Sequence, residues 1–356
     1  MWFQRAKTLI GIDIGSHAIK LVRFGLAGAS HQLLNVAMLP LPPATMVDGA
    51  IAKPFAVQDT LRRLLTFEKI TEKSVALALS GHSVIVKRVQ MVRMTEKELA
   101  NAIPLEAEQH IPFDTADINT DFQILDSPSR ENDRGNHMEV LLAAAKRDRI
   151  EELSRVARAV NLRPVVVDVD MLALINCFAL NHPEEVGGHV VSLVHIGASM
   201  LTVLIVKDGL SAFQRDIPFG GNQYTAALQK AFNLQAEDAE AVKLGGLAGS
   251  RSQPEMLTVL QRVTEDAIAE IQRSFDFYLA SAGDEPIEKV YLSGGCARMK
   301  GLAQVLAARL RLPVDMIAPF RHVEVSEAHF DGDYVHDIGP MMAVAAGLAL
   351  RRQDER

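Results

Sequence analysis

Three short apolar runs open the chain, Thr8–Ile14, Ile19–Leu26 and Gln32–Leu39, each bounded by glycine or polar turn residues. Their length and β-branched content predict three strands in a meander. The stretch PLPPATMVDGAIAKP reads as a Pro-rich loop, and a helix follows over Val57–Phe67 with Leu61, Leu64 and Leu65 on one face. A strand over Ser74–Leu79 comes next. A three-strand meander, a helix and a parallel strand is not the plain strand–helix alternation of a dinucleotide fold.

The next block reads as an insertion. It carries a strand over Ser83–Met91 and a helix over Thr95–His110, where Thr95 and Glu98 form a capping box. Pro104 inside that helix should kink or split it. Strands over Asn119–Leu125 and Met138–Ala145 flank the charged loop DSPSRENDRGNH, and an amphipathic helix over Arg147–Asn161 aligns Ile150, Leu153, Val156 and Val160. After a strand over Val165–Asp168, a helix over Met171–Leu180 and the linker NHPEEVGG, the opening pattern returns. His189–His195 is an apolar strand, Ile196–Met200 a Gly-containing turn, and Leu201–Val206 and Leu210–Ile217 two further strands around a Lys207-Asp208-Gly209 hairpin. Two copies of one meander imply two similar halves with a ligand cleft between them. The remainder is mostly helical: Gln223–Ala231, Ala236–Leu244, Glu255–Leu279 and Pro340–Leu350, with one strand over Lys289–Leu292.

Composition narrows the classes. With 356 residues, 48% of them hydrophobic, the chain can bury more than one core. Its 37 basic and 44 acidic residues give a net charge of −7 with no basic block, which argues against nucleic acid as the main ligand. Cys177 and Cys296 stand far apart in sequence, as in a reducing compartment without a disulfide framework or a zinc site. No cleavable signal is visible at MWFQRAK, and the uncharged run Val190–Val206 reads as two buried strands rather than a membrane span. Trp2 and Phe3 are expected to pack on the core. Arg62–Arg63, Lys87–Arg88 and Arg351–Arg352 read as solvated faces, as do Glu106 and Glu108.

The chemistry gathers in five segments. Gly11-Ile12-Asp13-Ile14-Gly15-Ser16 places a carboxylate between two glycines at a strand–turn–strand junction, where backbone amides can approach phosphate and the carboxylate its metal. Lys20 follows Asp13 by seven residues. The others are HIGASMLT from His195, Ala239-Glu240-Ala241-Val242-Lys243 with both charged side chains on one helix face, Ser293-Gly294-Gly295 after a strand, and the small-residue helix IGPMMAVAAGLAL. Singly, each is weak: a Gly-Gly turn is commonly a packing turn, and small residues at helical spacing commonly mean close helix contact. In this order they resemble the actin, heat-shock-ATPase and sugar-kinase superfamily. The insert and the stretch LEAEQHIPF further resemble the FtsA and PilM families, and the absence of a C-terminal amphipathic helix favours the PilM family of type IV pilus assembly.

That resemblance implies an α/β, actin-like (ribonuclease H-like) fold with duplicated domains. Domain I would comprise 1–83 and 164–188, the insert 84–163, domain II 189–222 and 285–352, and a helical subdomain 223–284. It implies ATP with Mg²⁺ as cofactors. Gly15, Ser16, His17, Lys20, Gly197, Ala198, Ser199, Glu240, Lys243, Gly294, Gly295 and Arg298 would hold the nucleotide, and Asp13 the metal, directly or through water. Asp13 and Asp168 are the candidate catalytic acids; Asp168 either orients a water or caps the next helix. The family usually carries Asp where this chain has His195. A neutral imidazole supplies no negative charge for Mg²⁺, so hydrolysis is expected to be weak or absent while binding persists, and His195 itself reads as a buried side chain with a structural hydrogen bond. The implied role is a cytoplasmic scaffold at the inner face of the inner membrane, needed for pilus biogenesis and twitching motility. Its implied partners are the N-terminal tail of PilN, in a groove between domain I and the insert, and other platform proteins. An active superfamily ATPase and an FtsA-like filament former are the alternatives.

Overall fold

The computed structural model describes residues 8–28, 30–125, 137–246, 253–282 and 285–353. Trp2, Phe3 and nearly all of the charged loop after Leu125 lie outside them. The opening meander forms β1 (Ile10–Ile14), β2 (Ala18–Ala27) and β3 (Ser30–Pro40). A hairpin of β4 (Met46–Val47) and β5 (Ala50–Ile51) interrupts the Pro-rich loop, then α1 (Pro54–Phe67) and β6 (Ser74–Leu79) follow. The insert contains β7 (Val84–Val92), α2 (Glu96–His110), β8 (Ile118–Leu125) and β9 (His137–Lys146). The chain returns through α3 (Arg147–Arg158), β10 (Arg163–Val169) and α4 (Asp170–Asn181). The second meander is β11 (Val190–Ile196), β12 (Leu201–Lys207) and β13 (Leu210–Ile217), followed by α5 (Gly221–Phe232), α6 (Ala236–Lys243) and α7 (Gln253–Ala282). The chain closes with β14 (Lys289–Ser293), α8 (Leu302–Leu310), β15 (Val314–Met316), β16 (Val323–Glu324) and α9 (Gly332–Ala349).

The two main sheets repeat one plan. The first runs β10-β6-β1-β2-β3-β16 and the second β13-β12-β11-β14-β15. In each, an antiparallel meander is extended from its first strand by two parallel strands. The strands buried on both faces, Ile10–Ile12 and Val190–Val194, read as near-continuous apolar runs because both of their faces are covered. There are two main cores, one around Ile12, Leu21, Leu61 and Phe178 that also takes in Val191, Leu193 and Leu204 of the second sheet, and the other around Val203, Ile271 and Leu292. Cys177 sits in the first and Cys296 in the second, both as free thiols.

Two expectations change. Pro104 neither splits nor ends α2, which runs through it as one element. Pro104 and Ala100, whose carbonyl loses its partner, are both exposed, so water replaces the missing bond. The C-terminal segment, expected in the second half, crosses back. β16 pairs in parallel with β3, and the Met342, Ala343 and Ala346 side chains of α9 belong to the first core. The small residues of α9 explain this: a Cβ on Gly347 would stand 1.7 Å from the Ala173 carbonyl oxygen of α4, and one on Gly11 would stand 2.1 Å from that of Ala345. Only a bare backbone allows so close an approach.

The insert is a three-stranded sheet, β7-β9-β8, with α2 on one face. Leu99, Ile103 and Ala107 pack there against Val140, Leu142 and Ala144. The capping box forms as expected, with Thr95 accepting from the Glu98 amide and Glu98 from the Thr95 amide.

Candidate nucleotide cleft

The two meander turns face each other. Gly15 N–H donates to Ala18 O (3.1 Å), and Gly197 N–H donates to Met200 O (2.9 Å), so both loops close by the same three-residue step. The Ser16 and Ser199 hydroxyls meet at 2.7 Å and join the halves across the cleft. The second turn is fastened to the start of α5, where the Gly221 and Asn222 amides donate to the Gly197 and Ala198 carbonyls. A Cβ on Gly220 would lie 2.6 Å from both carbonyl oxygens. The Pro-Phe-Gly-Gly stretch leading into α5 is the sequence signal of this close approach.

Asp13 and Lys20 stand directly opposite in the β1–β2 register, which is why a spacing of seven brings them together. Lys20 Nζ lies 2.7 Å from Asp13 Oδ2, both side chains being mostly buried. The corresponding register in the second half pairs His195 with Thr202. Duplication has thus replaced an ion pair by two neutral groups. His195 Nδ1 is 3.0 Å from Ser293 Oγ, the expected structural hydrogen bond. The ring opens toward the cleft but is enclosed elsewhere. Burial, then the Lys20 cation, push its pKa down to about 4 against the opposing pull of Asp13. It is a neutral imidazole at any physiological pH.

Further along, Glu240 and Lys243 share one face of α6 and pair at 2.6 Å, with the Thr225 hydroxyl donating to Glu240. Arg298 pairs with Asp337 of α9 at 2.6 Å and lines the cleft beside Gly295. Gly15, Ser16, His17, Lys20, Gly197, Ala198, Ser199, Glu240, Lys243, Gly295 and Arg298 all line this one cleft. Gly294 does not. It has φ +90, stands against the Ile196 carbonyl and donates to Pro340 O, contacts that hold the loop.

Asp168 is the main correction. It lies outside the cleft, at the end of β10, where its carboxylate accepts from the Val169 amide (2.8 Å) and pairs with Arg351 (3.3 Å). It does not cap α4, whose N-cap is Val169 with no side-chain bond. Asp170, two residues on, lines the cleft instead. Burial, then the carboxylates of Asp216, Asp13 and Asp168, raise its pKa well above the ordinary range against the opposing Met171 amide. Asp216 accepts from the Thr202 hydroxyl (2.7 Å), and burial raises its pKa too. Neither acid was selected from sequence.

The donor set suits a polyphosphate: two glycine turns, two serine hydroxyls and one lysine at the mouth, with a Glu–Lys pair and an arginine where a ribose and base would follow. Among the described residues no three metal-ligating side chains converge.

The family described as type IV pilus assembly protein PilM matches residues 11–353. The structure of a PilM-PilN type IV pilus biogenesis complex is similar over 99% of this chain and all of that one, at 30% identity and a TM-score of 0.86. The ethanolamine utilization protein EutJ from Carboxydothermus hydrogenoformans matches over 97% of this chain and 90% of its own, at 16% identity and 0.58. MreB 5 of Spiroplasma citri, bound to AMPPNP, matches over 97% and 95%, at 13% identity and 0.53. The last two share the fold, which is actin-like.

Proposed function

Since the chain belongs to the PilM family of type IV pilus assembly proteins, we propose that it is an ATP-binding scaffold of the pilus assembly platform that takes the N-terminal cytoplasmic tail of PilN. The facing glycine turns, joined by the Ser16–Ser199 hydrogen bond, carry the nucleotide reading. Lys20 and the loop amides would hold the phosphates, Glu240, Lys243 and Arg298 the nucleoside, and Asp13 the Mg²⁺ ion. The cation supplies charge neutralisation for the phosphates when bound. His195 adds no charge where the family usually has an acid, so the nucleotide braces the two halves rather than being consumed quickly.

The tail fits the groove between the first sheet and the insert, lined by β10, α4, β8 and β9. On this reading the chain works in the cytoplasm against the inner membrane, tethered through partners, and supports pilus biogenesis and twitching motility. No helix among the described residues is long and apolar enough to cross a membrane. Binding of a PilN tail peptide, against a scrambled control with and without ATP, tests the role. A peptide that fails to bind in the presence of ATP refutes it.

One observation favours a second reading, a working ATPase: Asp170 lies in the cleft with a raised pKa, as a general base would. Phosphate release above background that collapses in both Asp13→Asn and Asp170→Asn would establish it. If release is negligible, His195→Asp should raise it. No gain in that variant excludes His195 as the cause.

A further inference from the structure

α1 meets the first core with one row of side chains, Val57, Thr60, Leu61 and Leu64. Asn35 of β3 holds its C-terminal end, donating to the Glu68 carboxylate (3.2 Å). The opposite row at helical spacing is Phe55, Asp59, Arg62 and Thr66, with Arg63 and Phe67 beside it. All six are exposed. Phe55 and Phe67 are each 83% exposed, more than any other large apolar side chain among the described residues. Single exposed apolar residues are ordinary, but aromatic rings set among cations on one face mark a contact.

The shape and charge of that face choose the partner. α1 is convex, and neither ring lines the cleft or the groove. Twelve residues separate the rings, about 18 Å along the helix axis, too far for one pocket or one protruding side chain to serve both. Arg62 and Arg63 stand between them with no acidic partner among the described residues. From Lys53 to Lys69 there are four bases and two acids, a local charge of +2 in a chain of net −7. An arginine beside an apolar ring suits a phosphate headgroup: its stem lies along the acyl boundary and its guanidinium pairs with the phosphate. Because the inner row is fixed in the core, the rings are presented without any folding step on contact.

We propose that α1 meets the surface of an anionic lipid bilayer, with Phe55 and Phe67 entering the headgroup boundary and Arg62 and Arg63 pairing with lipid phosphates. This goes beyond a membrane reached through partners, since it gives the chain a lipid contact of its own. Two rings and a few charges produce weak, reversible adsorption. A membrane-anchored partner would strengthen it by holding α1 at a high effective concentration of lipid.

Co-sedimentation of the full chain with vesicles tests this, using phosphatidylcholine alone and an equal mixture with phosphatidylglycerol. The chain should bind the anionic vesicles, less as salt rises, and hardly bind the neutral ones. Phe55→Ser with Phe67→Ser should weaken binding at least about tenfold, as should Arg62→Gln with Arg63→Gln. Both pairs should melt with the wild type, since all four side chains are exposed. Phe55→Trp and Phe67→Trp, each combined with Trp2→Phe to leave one tryptophan, should both be quenched by brominated lipid. No binding by the wild type, binding untouched by the phenylalanine pair, or no quenching at either position overturns the proposal. A dimer that forms without vesicles and is abolished by the phenylalanine pair assigns the face to a second copy and equally overturns it.

Discussion

His195 should remain neutral until the solution is strongly acid, and this decides how the cleft can use a metal. Protonating it places a cation in an enclosed site beside the Lys20 ammonium, with only Asp13 in its favour. A fall from 6.5 to about 4 corresponds to about 3 kcal/mol, at about 1.4 kcal/mol per tenfold change. At pH 7 about one molecule in a thousand would carry the charge, against about a quarter for an ordinary histidine. The sign for stability follows from the lowered value. The unfolded chain takes up a proton near pH 6.5 and the folded chain does not, so this group's contribution is present above that range and is lost as pH falls toward 4. Histidine-selective NMR reads the ring directly, with His195→Asn assigning its signal among the 11 histidines. The same variant should flatten the pH dependence of the thermal midpoint between pH 6.5 and 4. An imidazole signal titrating between 6 and 7 would refute the argument and reopen His195 as a charged group.

Asp170→Asn should raise the melting temperature at pH 8 and lose that advantage near pH 4. A raised carboxyl favours the fold only while protonated, and that contribution fades as pH rises through its folded value. An unchanged or lower midpoint at pH 8 counts against the burial, and then the repulsion from Asp216 and Asp13, as the cause of the raised carboxyl. Gly347→Val should destabilise by at least about 2 kcal/mol, since nothing short of moving α9 from α4 clears the Ala173 carbonyl. Differential scanning calorimetry would show this, and a wild-type profile would contradict the packing. Lys20→Met should weaken ATP binding about tenfold to a hundredfold by calorimetric titration, the loss of one charge-assisted phosphate contact. Affinity within twofold of wild type would mean that Lys20 serves Asp13 alone.

Local chemistry fixed much of this protein before any folding was known. Strand-length apolar runs, the Thr95 capping box and the glycine turns at Gly15 and Gly197 are near-neighbour effects, and each appears where it was expected. The spacing of Asp13 and Lys20 needed only a tight hairpin to make a pair. Other features depended on how distant segments meet. Asp168 and Asp170 are alike in sequence. Only the end of β10 and the turn into α4 send one to Arg351 and the other into the cleft. Asp216 comes near Asp170 through the second sheet, and the short β15 and β16 have too few residues to announce themselves. The return of α9 to the first core follows from backbone contact at Gly347 and Gly11, which no pattern of polarity encodes. Turns and periodicity are set by neighbours in sequence and so can be read there. Which acid faces the cleft, and which core the last helix joins, is set by packing between residues far apart in the chain, and that only the folded structure decides.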